Sequence, residues 1–448
     1  MFSTDDTIVA IATPPGRGGI GVVRVSGPAA LPIAQALTTR AVFEPRHATF
    51  TSVSAADDTD PIDRVLVTYF PSPHSYTGED VIELSAHGSP VILEEIVHGA
   101  MRAGARLANP GEFTLRAYLN GRLDLVQAEA VADLIDAVTP LQARVAFDQL
   151  EGTLTMRLRE MDARLLDLIA PLEASIDFPE EGYHFITGEE ASAAMAAVVA
   201  DLDALVAAGR KGRMIREGLT AAIVGRPNAG KSSLFNRLAG AARAIVTDVP
   251  GTTRDVLTER VDLDGIPFTI IDTAGLRAHA GDAIEEEGIA RARQAGETAD
   301  VLIVVLDGSQ ALFDTDRAIL DNTSRRPRVI VASKADLAPA WNAAALSALP
   351  VSSITDQGME RLRHALVQST GSDWLRDRPA IANVRQSALL ERARAAVVRA
   401  RDAAAAGAPE ELVLADLHEA RGCFDEITGA RAGDEVLRTI FERFCIGK

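Results

Sequence analysis

Residues Leu219–Ser232, with the sequence LTAAIVGRPNAGKS, determine the fold of the central part of this 448-residue chain. The apolar run Thr220–Val224 predicts a buried strand, and the next eight residues match the phosphate-binding loop G-x4-G-K-S. A helix is predicted over Ser233–Ala239, so the loop joins a strand to a helix, as this motif requires. Its glycines let backbone amides close around a phosphate, and the helix N-terminus adds positive charge. We therefore expect a nucleoside triphosphate site, with the Lys231 ammonium on the β- and γ-phosphates and the Ser232 hydroxyl on Mg²⁺.

The residues after this loop alternate between strands and helices. Apolar runs at Phe268–Ile271, Val301–Leu306 and Arg328–Ala332 indicate buried parallel strands, with helical segments between them. Together with the phosphate loop, this order predicts a doubly wound α/β P-loop domain over residues 218–371, in which functional side chains follow the carboxyl ends of the strands. The motifs at those strand ends indicate a GTPase domain of the Ras-like type.

One motif at such a strand end is typical of a γ-phosphate sensor. Asp272-Thr273-Ala274-Gly275 ends the strand Phe268–Ile271. A carboxylate at this place can hold Mg²⁺ through water, and the Gly275 amide can contact the γ-phosphate.

A second motif indicates that the base is guanine. In Ser333-Lys334-Ala335-Asp336 the Asp336 carboxylate can accept hydrogen bonds from guanine N1 and N2, a donor pair that adenine lacks. The Lys334 side chain can lie along the purine face. The common form of the motif has Asn at the place of Ser333, so we expect one contact to the neighbouring loops to be missing. Ser352-Ser353 follows a short apolar stretch and can present a backbone amide to guanine O6.

The segment between the phosphate loop and Asp272 carries the remaining nucleotide candidates. A threonine in Thr247-Asp248-Val249-Pro250-Gly251-Thr252-Thr253 can bind Mg²⁺ once the γ-phosphate is present, and Thr253 is the candidate. Ras-type sites also use an Arg and a Gln for hydrolysis, but Arg277 has no Gln nearby. Either another acid orients the attacking water, or a monovalent cation replaces the arginine, with the Asn228 amide oxygen as its ligand.

The regions on both sides of this domain have a different character. Residues 1–118 show strand patterns between Gly and Pro turns, which predicts an α+β domain. Residues 119–217 and 372–448 have helical periodicity, most clearly in the apolar stripe from Leu150 to Leu172. We expect a multidomain chain in which the α/β domain is inserted into one α-helical domain. Two separate helical domains are the alternative.

The composition limits the partners and the compartment. With 45 basic and 63 acidic residues the formal charge is −18, which repels nucleic acid on average. Contact with RNA needs a local basic patch or a basic partner. The sequence has two basic clusters, and solvated helix faces are the simpler interpretation of both. Two cysteines without metal-type spacing, no signal peptide pattern and no uncharged apolar run of about 18 residues favour a cytoplasmic protein without a membrane anchor. The two basic clusters are Arg210, Lys211, Arg213 and Arg216, and Arg385, Arg392, Arg394, Arg399 and Arg401.

Several longer stretches resemble the MnmE (TrmE) family of tRNA-modification GTPases, and the resemblance covers essentially the whole chain. They are Thr7–Gly27 (TIVAIATPPGRGGIGVVRVSG), Tyr76–Glu83 (YTGEDVIE), Asn109–Arg116 (NPGEFTLR), Arg122–Ala130 (RLDLVQAEA), the GRPNAGKSS and PGTTRD loops, and Cys445-Ile446-Gly447-Lys448.

The resemblance implies a fold and an activity. Residues 1–118 would form a domain that binds 5-formyl- or 5,10-methylene-tetrahydrofolate and dimerises, similar to folate-binding domains of the glycine-cleavage type. The homodimer would work with the FAD protein MnmG. Together they would add an aminomethyl or carboxymethylaminomethyl group to C5 of the wobble uridine (U34) of certain tRNAs. Potassium ions would support GTP hydrolysis.

The resemblance also assigns roles to single residues. Asn228 aligns with the side-chain ligand of K⁺, and Thr247, Val249 and Thr252 align with its backbone-carbonyl ligands. Ser232 and Thr253 match the Mg²⁺ ligands. Glu285 aligns with the acid that orients water and joins Lys231 as a catalytic candidate. The GTP contacts are expected at Asn228, Ala229, Gly230, Lys231, Ser232, Ser233, Thr247, Asp248, Val249, Pro250, Gly251, Thr252, Thr253, Asp272, Thr273, Ala274, Gly275, Ser333, Lys334, Asp336, Ser352 and Ser353.

The folate contacts implied by the resemblance are Arg24, Glu83, Arg122 and Lys448. The resemblance also makes Cys445 a catalytic candidate near the folate-bound carbon, with a spectator thiol as the alternative. Arg24 and Glu83 each alternate with apolar strand residues, where an unpaired charge is costly. A structural ion pair between them is therefore the alternative.

A function of another class would use the same nucleotide motifs. A GTPase switch in ribosome assembly or RNA chaperoning needs residues 218–371 but no modification chemistry. The stretches outside that domain favour tRNA modification.

Overall fold

The computed structural model describes residues 5–54, 60–177, 186–241, 257–272, 299–369, 381 and 383–448. The chain forms two compact units. One comprises Met1–Ala132, Leu150–Phe185 and Glu410–Lys448, and the other comprises Asp133–Gln149 and Ile186–Pro409. Most of the second unit is thus inserted into the first along the sequence. The finer boundaries at residues 118, 217 and 371 stay a prediction.

The described elements are numbered in chain order. The strands are β1 (Ile8–Ile11), β2 (Gly18–Ser26), β3 (Thr49–Ser54), β4 (Pro61–Phe70), β5 (Val81–Gly88), β6 (Arg106–Leu107), β7 (Leu219–Val224), β8 (Leu257–Leu263), β9 (Ile266–Asp272), β10 (Val301–Asp307), β11 (Arg328–Ser333) and β12 (Leu349–Pro350). The α-helices are α1 (Ala30–Leu37), α2 (Pro90–Arg102), α3 (Glu112–Leu119), α4 (Leu125–Ile135), α5 (Pro140–Leu150), α6 (Thr153–Asp177), α7 (Gly188–Glu217), α8 (Lys231–Ala241), α9 (Asp314–Asn322), α10 (Met359–Ser369), α11 (Val384–Ala405), α12 (Glu410–Thr428) and α13 (Asp434–Phe441).

The first unit contains a six-stranded sheet with the strand order β3-β4-β5-β2-β1-β6. Its neighbouring strands are antiparallel except β1 and β6, which are parallel. Helices α1 and α2 share a core with one face of this sheet, including Val23, Ile82 and Leu84. Since successive strand residues point to opposite faces, the paired residues Arg24 and Glu83 lie on the other face. The predicted α+β character of this region is confirmed.

The second unit contains a six-stranded sheet with the order β12-β11-β10-β7-β9-β8. All neighbours are parallel except β8, which is antiparallel to β9. Every residue of Val301–Asp307 is buried, as expected for a parallel strand covered on both faces. Because β9 and β10 lie on opposite sides of β7, the loop after β7 is at the point where the strand order reverses, which is where such folds bind ligands. The predicted α/β domain is confirmed.

Long helices complete each unit. In the first, α6 packs against α12, and in the second, α7 packs against α11. The predicted stripe is confirmed from Leu154 to Leu172, where its six members are at most 5% exposed. Leu150 instead ends the preceding helix, because Gly152 has a left-handed φ of +81° that separates α5 from α6.

Within the described part of the chain, one helix is long and apolar enough to cross a membrane by length and composition. It is Gly188–Glu217, in which an 18-residue window has a mean hydropathy of 1.7. Its buried residues, among them Met195 and Leu202, face the packing partner α11, and its Asp203 forms an ion pair with Arg394. One such helix is weak evidence for a membrane span, and its packing against α11 and its ion pair indicate a helix of the second unit.

Candidate functional site

The backbone of the phosphate loop makes one close approach and has positive φ values at two positions. Gly225 lies so close to β10 that a Cβ would stand 2.4 Å from the Val305 carbonyl oxygen. Gly230 and Asn228 have positive φ values of +95° and +62°. The buried Lys231 ammonium donates to the Arg226 carbonyl oxygen at 2.7 Å and thus points back into the loop. The helix after the loop begins at Lys231, two residues earlier than predicted.

Asp272 is the last residue of β9 and is fully buried. The parallel register places it opposite Ile223 of β7, next to the start of the phosphate loop. Its carboxylate therefore lies at the same sheet edge as Ser232. The other predicted nucleotide and cation contacts of this side fall outside the described residues: Thr247, Asp248, Val249, Pro250, Gly251, Thr252, Thr253, Thr273, Ala274, Gly275 and Glu285.

Ser333 connects the base motif to the phosphate loop. Its hydroxyl oxygen lies 2.6 Å from the Ala229 carbonyl oxygen and 3.0 Å from that of Leu306. The contact expected to be missing with a side chain shorter than Asn is therefore present. The hydroxyl has one proton, so it donates to one of the two carbonyls at a time.

The Lys334 side chain extends from a backbone with φ +58° to the carboxylate of Asp307, with an Nζ–Oδ2 distance of 2.7 Å. Burial alone would raise the pKa of Asp307, but hydrogen bonds from Lys334 and Ser309 outweigh burial and hold this pKa below its usual value. Asp307 is not among the site residues predicted from the sequence. The available signal was an acid that ends an apolar strand directly before a glycine.

The structure brings Asp336 and Ser352 together. The buried Ser352 hydroxyl donates to Asp336 Oδ1 at 2.6 Å, and its oxygen accepts from the Ile354 and Thr355 amides at 3.2 Å. The loop after β12 thus fixes the carboxylate, while the Asp336 residue itself remains exposed. An exposed carboxylate with a fixed orientation can test a base by its hydrogen bonds. The neighbouring Ser353 is half-buried.

A second candidate site lies in the first unit around Arg24. Its Nε and Nη2 both donate to Glu83 Oε1, at 2.9 and 2.8 Å. The rings of Tyr76 and Phe113 lie 5.3 and 5.7 Å from the guanidinium carbon. The ion pair considered as an alternative is thus formed. The side chains of Arg24 and Glu83 remain 15% and 29% exposed, so a ligand can still reach them.

Residues 445–448 reach the same place. The Phe113 amide donates to the Lys448 carbonyl oxygen at 3.2 Å, and Arg24 Nη1 lies 3.5 Å from the Gly447 carbonyl oxygen. Burial, and next the nearby Arg24 charge, lower the pKa of Lys448. The structure therefore brings Arg24, Glu83 and Lys448 together. Cys445 is exposed in the same segment.

The fourth predicted folate residue lies beside the loop that carries Tyr76. Arg122 is exposed, and its Cγ would be 3.3 Å from a Cβ at Gly78. The structure thus places Arg122 at the edge of this region, while the Arg24 cluster is formed by strands and the 445–448 segment.

Four of the nine residues in the two predicted basic clusters form ion pairs with acids. Arg394 pairs with Asp203, Arg401 with Asp402, Arg213 with Glu217 and Arg216 with Asp133. This favours the interpretation as solvated helix faces. Among the described residues, no group of three or more His, Cys, Asp and Glu side chains is arranged to hold a metal ion.

Comparisons with known proteins cover both units. The family model described as "MnmE helical domain" matches residues 125–445, and that described as "GTP-binding protein TrmE N-terminus" matches residues 7–122. A protein of Koribacter versatilis named tRNA modification GTPase MnmE is 44% identical over 455 residues, covering 100% of both chains. One of Laribacter hongkongensis with the same name is 44% identical over 451 residues, covering 99% of both. A solved structure of Aquifex aeolicus Era is 24% identical over 34% of this chain and 56% of its own, with a TM-score of 0.27, too low to support an argument.

Proposed function

The chain belongs to the MnmE family of tRNA modification GTPases, and on that premise we propose which of its residues bind GTP, hydrolyse it and serve tRNA modification. It is a GTP hydrolase that takes part in tRNA modification. The observation that carries the assignment of the nucleotide site is the link between three motifs. Ser333 holds the phosphate loop, and Ser352 holds Asp336.

We assign the triphosphate to the loop between β7 and α8. The Lys231 ammonium exchanges the Arg226 carbonyl for phosphate oxygens, and the amides at the start of α8 face the β-phosphate. Asp336 selects guanine. The Ser232 hydroxyl and the buried Asp272 carboxylate supply oxygen donors of the kind that Mg²⁺ prefers. When bound, Mg²⁺ neutralises charge on the phosphates.

We infer that hydrolysis uses K⁺ and an acid in place of the Ras-type Arg and Gln. Asn228 stands in the phosphate loop with a positive φ, so its side chain leaves the loop in an unusual direction. Thr247, Val249 and Thr252 would complete the K⁺ site, with Thr253 on Mg²⁺ and Glu285 on the attacking water. The support is the family's pattern in the sequence.

A salt exchange tests this proposal. We expect faster GTP hydrolysis in K⁺ than in Na⁺ at equal ionic strength, and Asn228→Ala should abolish the difference while nucleotide binding persists. The exposed Asn236 of α8 offers a matched control, Asn236→Ala, which should keep the K⁺ preference. Equal rates of the unaltered protein in both salts refute the K⁺ site.

The Arg24 cluster suits a tetrahydrofolate that carries a one-carbon unit, as 5-formyl- or 5,10-methylene-tetrahydrofolate. Glu83 can accept from pterin N–H groups, and Arg24, Arg122 and Lys448 can bind carboxylates. Calorimetric titration with 5-formyltetrahydrofolate should show binding that Glu83→Gln weakens. Glu94→Gln, on the exposed side of α2, should bind as the unaltered protein does. No binding by the unaltered protein refutes the folate site.

Self-association is proposed through the sheet face that carries Arg24. Phe50 and Leu66 are paired in register there and are 58% and 44% exposed, and Ile20 of β2 is 70% exposed. Exposed apolar groups of this size are typical of protein contacts. The mass in solution should be that of a homodimer, and Phe50→Asp should yield monomers. A dimer that survives Phe50→Asp contradicts the assignment of the face.

The modification itself is proposed to need a partner. With the FAD protein MnmG, the chain would add an aminomethyl or carboxymethylaminomethyl group to C5 of wobble uridine (U34) in certain tRNAs in the cytoplasm. Nucleoside analysis of tRNA from a deletion strain tests this, and unmodified U34 is the expected result. Normal tRNA would refute it and leave the ribosome-assembly alternative.

A further inference from the structure

Asp307 is a buried acid that the proposed hydrolysis does not use. It is 3% exposed at the end of β10 and accepts from Lys334 Nζ at 2.7 Å and from the Ser309 hydroxyl at 2.6 Å. Arg226 of the phosphate loop lies 3.7 Å from the same carboxylate oxygen as Lys334. Asp307 is therefore next to both the phosphate loop and the base motif.

The ion pair between Asp307 and Lys334 restricts the Lys334 side chain, which would otherwise be mobile. A lysine side chain is long and flexible, so fixing it against a ligand costs rotamer entropy. Here the backbone of Lys334 is in the left-handed region, and Asp307 holds the ammonium at the other end. The side chain is 36% exposed between these two fixed ends, so its stem is accessible to a flat base.

We propose that Asp307 is a positioning residue that holds Lys334 ready to lie along the guanine ring. The inference rests on the proposed nucleotide site. Asp307 acts through Lys334 and does not touch the base, so it sets how tightly guanine nucleotides bind. The choice among bases stays with Asp336.

A double-mutant cycle tests this by titration with fluorescent mant-GDP. Asp307→Asn keeps the shape and removes the charge, and we expect about tenfold weaker binding, in line with the loss of a charged hydrogen bond. Lys334→Met keeps the apolar stem but loses the tether, and it should also bind about tenfold weaker. The double variant should bind no worse than Lys334→Met, because each single change already removes the same interaction between Asp307 and Lys334.

Controls separate positioning from general damage. Asp316 is a carboxylate equally buried, 3.4 Å from Arg226, so Asp316→Asn is matched in burial and should bind mant-GDP within about twofold. The preference for GDP over xanthosine diphosphate should be unchanged in Asp307→Asn. Additive losses of affinity in the double variant overturn the inference. Unaltered binding by Lys334→Met also overturns it, and this measurement is informative even if Asp307→Asn does not fold. Failure of the unaltered protein to bind mant-GDP refutes the nucleotide site instead.

Discussion

Substituting Gly447 by Ala should release residues 445–448 from the first unit without unfolding it. Gly447 has φ +99°, and an added Cβ would stand 2.2 Å from the Ile11 carbonyl oxygen and 3.1 Å from the Ala12 Cα. Both are backbone atoms, so no side chain can move aside. Left-handed strain of about 1–2 kcal/mol and overpacking of about 1–3 kcal/mol together oppose the docked position by roughly 2–5 kcal/mol.

The attachments of this segment are of similar strength. Three long hydrogen bonds hold it, from Gly111 to Cys445, from Phe113 to Lys448 and from Arg24 to Gly447, at 3.4, 3.2 and 3.5 Å. At about 0.5–1.5 kcal/mol each, they contribute roughly 1.5–4.5 kcal/mol. The strain thus matches or exceeds the attachment, and detachment is the least costly response.

Hydrogen exchange and calorimetry measure the outcome. In Gly447→Ala, amide protection of residues 445–448 should be lost, and affinity for 5-formyltetrahydrofolate should fall at least about tenfold because Lys448 leaves the cluster. Gly422, inside α12 with open space at its Cβ position, supplies the control. Gly422→Ala should stabilise slightly, by about 0.5–1 kcal/mol, and bind normally. Unchanged protection in Gly447→Ala would refute the steric reasoning.

Three further results are expected. Ser333→Ala leaves the Ala229 carbonyl without its donor and should weaken mant-GDP binding by about 1–3 kcal/mol in a titration; unaltered binding would contradict this. Ser352→Ala frees the Asp336 carboxylate and should lower the preference for GDP over inosine diphosphate, measured by competition, whereas an unchanged preference would show that the carboxylate needs no support. Burial alone would raise the pKa of Glu112, but hydrogen bonds from its neighbours lower it, so its stabilising effect is complete above the ordinary pKa of 4.5 and is lost on acidification. The melting temperature should therefore fall as the pH drops below about 4.5, and a constant value in that range would count against this.

The central fold could be predicted from sequence because its signals are local. A strand, the loop GRPNAGKS and a helix stand next to each other in the chain, Asp272 ends one apolar run, and Asp336 follows shortly after another. Each of these needs only spacing and residue type. The strand order then brings the motifs to one edge of the sheet.

Contacts between distant segments could not be predicted in this way. Asp307 meets Lys334 only because β10 and β11 are neighbours in register, which no single motif states. Ser333 reaches the phosphate loop because the two backbones approach closely. A Cβ placed on Gly230 would lie 3.6 Å from the Cβ of Ser333. The short side chain of Ser333 predicts a lost contact, but the close approach of the two backbones lets its hydroxyl reach the Ala229 carbonyl oxygen.

The route of the chain through the first unit affects when its ligand site can be completed. The strands that carry Arg24 and Glu83 are translated early, whereas the segment that docks beside them belongs to Glu410–Lys448. The ribosome must therefore make the whole inserted unit before Lys448 can join the cluster, although domains generally fold as they emerge. A nascent chain that has already folded its nucleotide domain therefore still lacks Lys448 beside Arg24 and Glu83, and the proposed folate site is complete only when the last residues have been made.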